Sequence, residues 1–343
     1  MSHTIDQHTA ATSYSYAGMA TLALRLVTGW TYFSAFWRRV VLENKLNPEE
    51  AGYVGEKFNH FLPNALGIKP IIEYLVSNPD ALWWSMVGFT IVEGIVGLLF
   101  MLGLFTRLMS IGVFSLAMGI LLGSGWLGTT CLDEWQIGIL GIAAGFSLFL
   151  SGGGTYSLDH LFFSATQQAE KKWNWLTSGI LPVHIRKLQV PVIAGSLLIL
   201  FIALFTNQYF HGGVYGELHN KSVKPKVEIT EALITNSNLE FTVFRVEGAD
   251  VYGSFLIGVH VEDESGNIIF EKDHKALSQV AASAISNRYV AKVKPGKHSL
   301  ILPLGAKATL TFSDTAFDTL PKGNYRLVLT DISGLEWDVK LVL

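Results

Sequence analysis

The stretch Leu82–Leu104, "LWWSMVGFTIVEGIVGLLFMLGL", decides how the rest of the chain is read. It is apolar for longer than the roughly 20 residues that a helix needs to cross a bilayer, and it carries a single charged residue, Glu93. Four further runs have the same character: about Ala17–Val40, Leu108–Leu122, Gln136–Leu150 and Val190–Thr206. Composition agrees, with 50% hydrophobic and only 15% charged residues among 343. The third and fourth runs are short, and the spacing of Gly119 with Gly123 and of Gly141 with Gly145 predicts close helix packing in lipid. Five spans are expected, the first four as a bundle and the fifth alone.

The polar N-terminus, 1–16, has no Lys or Arg before the first apolar run and makes a poor cleavable signal, so it reads as a tail ahead of a retained span. The bundle is placed at 17–160, a surface connector at 161–187 and the fifth helix at 188–208. Val41–Ala81, with Pro48, Pro63, Pro70 and Pro79, is long for a loop inside a bundle, which points to a structured or functional role. From about Tyr215 the text changes to "KVEITEALI", "LEFTVFRVEG", "SFLIGVHVED", "NIIFEK", "HSLILPL", "KATLTF", "YRLVLTD" and "EWDVKLVL". These short β-branched or alternating runs, parted by turns such as "ESGN" and "LPKGN", predict a C-terminal all-β sandwich over 215–343, immunoglobulin-like in general shape.

Counting spans puts Trp37, Arg38, Arg39, Trp83, Trp84, Trp126, Cys131, Trp135 and the β-domain on one membrane face. Arg107, Lys171, Lys172, Arg186 and Lys187 outweigh Arg38, Arg39 and Lys45, so the positive-inside tendency leans to an extracytoplasmic sandwich. With 25 Lys plus Arg against 28 Asp plus Glu there is no basic stripe for nucleic acid.

Chemistry-bearing residues are few. Cys131 is the only cysteine and lies in "GWLGTTCLDEWQIG", Gly125–Gly138, a polar interruption between two spans. A lone thiol is often a small packing residue. Here Asp133 and Glu134 open the next helix, whose N-terminus would favour a thiolate, although the same carboxylates oppose it by like charge and are candidate proton carriers. Arg25 and Glu93 sit inside spans, where each charge costs about 2.5–3.5 kcal/mol unless paired or wetted. Two readings stay open: a mutual Arg25–Glu93 pair, or a pocket. Arg38 and Arg39 are lipid-phosphate anchors or, with Arg25, the cations that draw in a small dianion. Trp30, Trp126 and Trp135 belong to an aromatic belt or stack on a planar ring entering from lipid. "SGGGTYSLDH", Ser151–His160, follows a helix rather than a strand, so a turn and cap fit better than a phosphate loop. The ten histidines lack metal-ligand spacing, leaving His60 as the one kept for a site. Neither a metal nor a tightly bound cofactor is expected.

"LALRLVTGW", "EGIVGLLFMLGLFTRL", "GWLGTTCLDEWQIG" and "GGGTYSLD" together resemble the DoxD/DoxX membrane family, and the part from the fifth span onward resembles DoxA. The whole chain is similar to a fused DoxD–DoxA thiosulfate:quinone oxidoreductase. That resemblance implies oxidation of thiosulfate to tetrathionate with reduction of a membrane quinone. Under it, Cys131, Asp133 and Glu134 are the catalytic candidates, Arg25, Arg38 and Arg39 the anion-binding ones, and Glu93, Trp30, Trp126, Trp135 and His60 the quinone-binding ones. A quinone-linked thiol redox partner of another protein and a non-enzymatic scaffold with a partner-binding sandwich are the alternatives, and assembly with further copies of the chain is left open.

Overall fold

A computed structural model describes residues 12–50, 52–128, 133–169, 171–235, 237–249 and 254–343. The chain forms two compact units. One gathers Met1–Ala51, Trp84–Gly125 and Asp133–Leu218; the other gathers Gly52–Trp83, Trp126–Leu132 and His219–Leu343. Two inter-helix segments therefore cluster with the β-rich C-terminal part.

The first unit is helical: α1 Leu22–Phe36, α2 Pro79–Leu102, α3 Thr106–Ser124, α4 Asp133–Ser151 and α5 Ile185–His211. Four of these, α2 to α5, are long and apolar enough to cross a membrane. The expected first span falls short as a single α-helix. Residues 12–20 are helical, Thr21 interrupts, α1 runs for 15 residues, and Trp37–Leu42 continues as a π-helical turn. The break at Thr21 coincides with its hydroxyl bonding back to Ala17 O at 2.9 Å while touching Ser151 Oγ at 3.2 Å.

Small residues set the helix spacing. A Cβ at Gly97 would fall 2.4 Å from the Phe33 backbone nitrogen, joining α2 to α1, and one at Gly145 would fall 2.8 Å from Ser110 O, joining α4 to α3. Gly119, expected at such a contact, instead has open space beside it. The core between these helices is Tyr32, Val96, Phe100, Val113, Leu116, Ala117, Leu121, Ile142 and Leu148. The apolar stretch of α5 is not buried at all, as lipid-facing residues would be. Its last turns are tied in by Trp135 Nε1 donating to Thr206 Oγ1 at 2.9 Å and by His211 Nε2 with Gly125 O at 2.9 Å.

The second unit holds ten strands: β1 Lys226–Thr235, β2 Asn238–Glu247, β3 Ser254–Asp263, β4 Ile268–Asp273, β5 Ile285–Asn287, β6 Lys294–Pro295, β7 Leu300–Leu302, β8 Lys307–Ser313, β9 Asn324–Asp331 and β10 Glu336–Val342. They form two antiparallel sheets, β1-β2-β8-β5 and β10-β9-β3-β7-β6, with β4 also on β3. The sheets share one core that includes Leu239, Phe241, Val243, Val259, Val261, Leu310 and Leu327. Eight strands match the eight runs read from the sequence. The two others, β5 and β6, are three and two residues long.

The loop Gly52–Trp83 is knitted to this sandwich rather than free. Fully buried Asn59 donates to Gly305 O at 2.7 Å and accepts from Ala291 N at 3.2 Å. Gly305 has φ +74° and would place a Cβ 2.3 Å from Asn59 O, so turn and contact both require glycine there. Val290 N donates to Val76 O at 3.2 Å, Asn64 Nδ2 to Val246 O at 2.9 Å, and the Tyr289 hydroxyl to Glu73 Oε1 at 2.8 Å. The 126–128 segment joins the same unit, with Ser222 Oγ donating to Trp126 O at 3.0 Å and Asn220 Nδ2 to Gly128 O at 2.6 Å.

Candidate functional site

An apolar helix that keeps a charged residue must give it a partner, because nothing in the hydrocarbon region replaces water. Where those partners are found separates two polar centres in the helical unit.

At the first, the start of α1, the end of α2, the start of α3 and the segment after α4 meet. Arg25, only 2% exposed, donates to Gly153 O at 2.7 Å and also to Tyr156 O. Arg107, fully buried, donates to Phe149 O at 2.8 Å, Thr177 O at 2.8 Å, Gly179 O at 2.7 Å and also Asn174 O. Asp159 is equally buried. It accepts from Phe105 N at 2.7 Å, from Thr106 N at 2.9 Å and Thr106 Oγ1 at 2.7 Å, and from Ser178 Oγ at 2.9 Å, so it caps α3. A Cβ at Gly103 would lie 2.7 Å, and one at Gly153 2.8 Å, from Arg25 Nη1, so Gly153 of "SGGGTYSLDH" leaves room for the guanidinium, while a Cβ at Gly154 would meet the Gly18 backbone at 2.7 Å. This run is a clamp on Arg25. The connector also differs from a plain surface segment, since it starts as the helix Leu158–Ala169 and then supplies carbonyls to Arg107.

The second centre joins α2 to the π-helical turn after α1. Glu93 on α2 is 4% exposed and forms an ion pair with Arg39 of the π-helical turn. The alternative pairing of Glu93 with Arg25 is not the one formed, because Arg25 spends its terminal amino groups on the carbonyls of the clamp. Arg39 also lies 6.0 Å over the Phe89 ring, and exposed Arg38 is within electrostatic range of Glu93 while its Nε bonds Ser34 O of its own helix at 3.3 Å. π-helical turns recur at functional sites. Here the widened turn carries the cation that meets the buried acid.

Two hydroxyls complete the centre, and neither was singled out in the sequence. Tyr32 on α1 is 2% exposed and within electrostatic range of Glu93. Its oxygen would be 2.5 Å from a Cβ at Gly141 on α4. Thr90, 1% exposed, precedes Glu93 by three residues and so shares its face of α2. The available signal was spacing alone: a Thr-x-x-Glu on an otherwise apolar helix, and a lone tyrosine in an apolar run.

The remaining sequence candidates are dispersed. Cys131 lies outside the described residues. Asp133 and Glu134 form the first turn of α4, Asp133 exposed and Glu134 half-buried. Trp135 holds α5 through Thr206, and Trp30 is 53% exposed on α1. Trp126 and His60 belong to the other unit, where Trp126 is fully buried with its Nε1 3.3 Å from Phe61 O. Among the described residues no cluster of three His, Cys, Asp or Glu side chains has the arrangement of a metal site.

Residues 20–185 match the family model described as TQO small subunit DoxD, and residues 210–340 match the one described as TQO small subunit DoxA. The first match takes in both polar centres, and the second runs from before β1 into β10. The chain belongs to the DoxD and DoxA families, with a membrane-helical DoxD part and a β-sandwich DoxA part fused in one polypeptide.

Proposed function

We propose that this chain is a thiosulfate:quinone oxidoreductase, the enzyme that the letters TQO denote. The observation that carries the reading is Glu93: an acid buried in a membrane-capable helix, held by Arg39 at the base of α1 and flanked by hydroxyls. Reducing a quinone requires two protons delivered inside the bilayer, and a buried carboxylate on a charged partner that is itself 23% exposed can relay them from the membrane edge.

The overall chemistry balances as two thiosulfates plus one quinone plus two protons giving one tetrathionate and one quinol. A route through Cys131 balances in two steps. In the first, the cysteine thiolate and one thiosulfate join through a new S–S bond as two electrons and two protons pass to quinone. In the second, another thiosulfate attacks the sulfane sulfur bonded to the cysteine Sγ, forms tetrathionate and expels the thiolate. Arg38 and Arg39 attract the dianions, and Glu93, with Asp133 and Glu134 nearer the aqueous edge, moves the protons. Arg25 is assigned to the clamp. A membrane quinone and the bilayer are the partners, with no tightly bound cofactor.

The sandwich is inferred to lie on the membrane face of the Gly125–Gly138 stretch, because two expected spans, an even number, separate the two in the sequence. Purified protein in lipid should reduce a short-chain quinone with thiosulfate and form one tetrathionate per quinol. Reduction driven by sulfite or sulfide but not by thiosulfate would overturn the assignment.

A further inference from the structure

Helix hydroxyls in this unit ordinarily bond back to a carbonyl one turn earlier. Thr31 reaches Val27 O at 3.0 Å, Ser110 reaches Thr106 O at 2.7 Å, Ser115 reaches Ile111 O at 2.9 Å and Thr206 reaches Ile202 O at 2.7 Å. Thr90 departs from that pattern: its buried Oγ1 has no hydrogen-bond partner among the described residues, and neither has the buried Oη of Tyr32. A buried hydroxyl left unpaired costs about 1–3 kcal/mol, so two beside one acid are an unusual concentration of unused capacity. Replacing glycine at 141 would close the space against the Tyr32 oxygen.

We infer that Tyr32 and Thr90 are the hydrogen-bond donors for an acceptor oxygen of the quinone head, with Glu93 as the adjacent proton source. The inference rests on the quinone reading above and deepens it by naming the contacts. The chemistry fits a quinone carbonyl: a neutral oxygen that accepts two hydrogen bonds, reaches the site from lipid, and becomes a hydroxyl when Glu93 supplies a proton. A carboxylate or sulfur oxyanion fits these two hydroxyls less well, because it would set a second negative charge beside the buried Glu93.

The test uses full-length protein in lipid discs, with Tyr32→Phe and Thr90→Val compared to wild type. Neither hydroxyl has a partner to lose among the described residues, so thermal unfolding should stay at or slightly above the wild-type temperature. The quinone KM should rise about tenfold or more for Tyr32→Phe, which corresponds to about 1.4 kcal/mol, while the thiosulfate KM holds. Quenching of tryptophan fluorescence by the quinone, read without thiosulfate, should weaken in parallel. Unchanged quinone KM and quenching in both variants would overturn the inference, and would mean that the hydroxyls bind only water. If wild type binds quinone, Tyr32→Phe loses it, and no thiosulfate turnover occurs in either, the contacts stand and the substrate assignment fails.

Discussion

The two polar centres of the helical unit handle buried charge in opposite ways. Around Arg25 and Arg107 the guanidinium groups meet main-chain carbonyls, and all four oxygen bonds of Asp159 are used to cap α3 and hold Ser178. Around Glu93 its ion pair with Arg39 stands beside two hydroxyls without hydrogen-bond partners among the described residues. The first centre spends its charges on groups of the chain itself, with only the buried Arg25 Nε and Asn174 Oδ1 left over among the described residues. The second keeps two hydroxyls beside its acid, the capacity that the proposed quinone would use. The difference teaches that buried charge by itself does not mark a site, and that what its neighbours leave unused has to be weighed with it.

Substitutions should separate the centres. The largest loss of stability is expected at the clamp. Arg107→Met would leave Phe149, Asn174, Thr177 and Gly179 carbonyls short of a donor, and at about 1–3 kcal/mol for each unmet group the folded unit should not survive purification. Size-exclusion and thermal unfolding in detergent check this; a monodisperse, normally stable variant would dissolve the distinction between the centres. Next comes the ion pair. Arg39→Gln alone should destabilise by up to about 3–5 kcal/mol, less to the extent that Arg39 reaches solvent, and Arg39→Gln with Glu93→Gln should recover much of that, since neutralising both removes the stranded charge. Both variants should lack quinone reduction. A double variant with full turnover would refute the proton role of Glu93.

The same contrast can be extended to the sandwich unit, where Asn59 uses both its amide nitrogen and its amide oxygen. Asn59→Ala should cost about 2 kcal/mol by leaving the Gly305 carbonyl and the Ala291 amide unmet, with quinone affinity unaffected. Smallest is Tyr289→Phe, which removes one half-exposed hydrogen bond worth about 1 kcal/mol. Burial first, and then the bond to Glu73, raise the Tyr289 hydroxyl above its ordinary value near 10. The folded state therefore holds that proton more tightly. The stabilisation is complete below about pH 10 and is lost as the pH rises through the higher folded value. Unfolding curves from pH 8 upward should fall more steeply for wild type than for Tyr289→Phe; parallel curves would deny the bond any weight.

The sequence by itself determined the architecture. Apolar length identified α2 to α5, and β-branched or alternating runs identified eight of the described strands, because both signals are local and repeat along one element. It also singled out Glu93 and Arg39, since a charge in or beside an apolar run stands out without any neighbour. Only the tertiary structure decided which charges meet. Arg25 and Glu93 looked like mutual partners because each was alone in its span, yet the carbonyls after α4 and the π-helical turn after α1 supplied different ones. Tyr32 and Thr90 were illegible for the same reason: an aromatic or a threonine in a helix is ordinary, and becomes informative only once neighbouring helices fail to satisfy its hydroxyl. The joining of Gly52–Trp83 with the distant β-strands likewise depended on single side chains such as Asn59, whose partner lies 246 residues away. Hydrogen bonds between remote positions leave no period in a sequence, so packing alone revealed them.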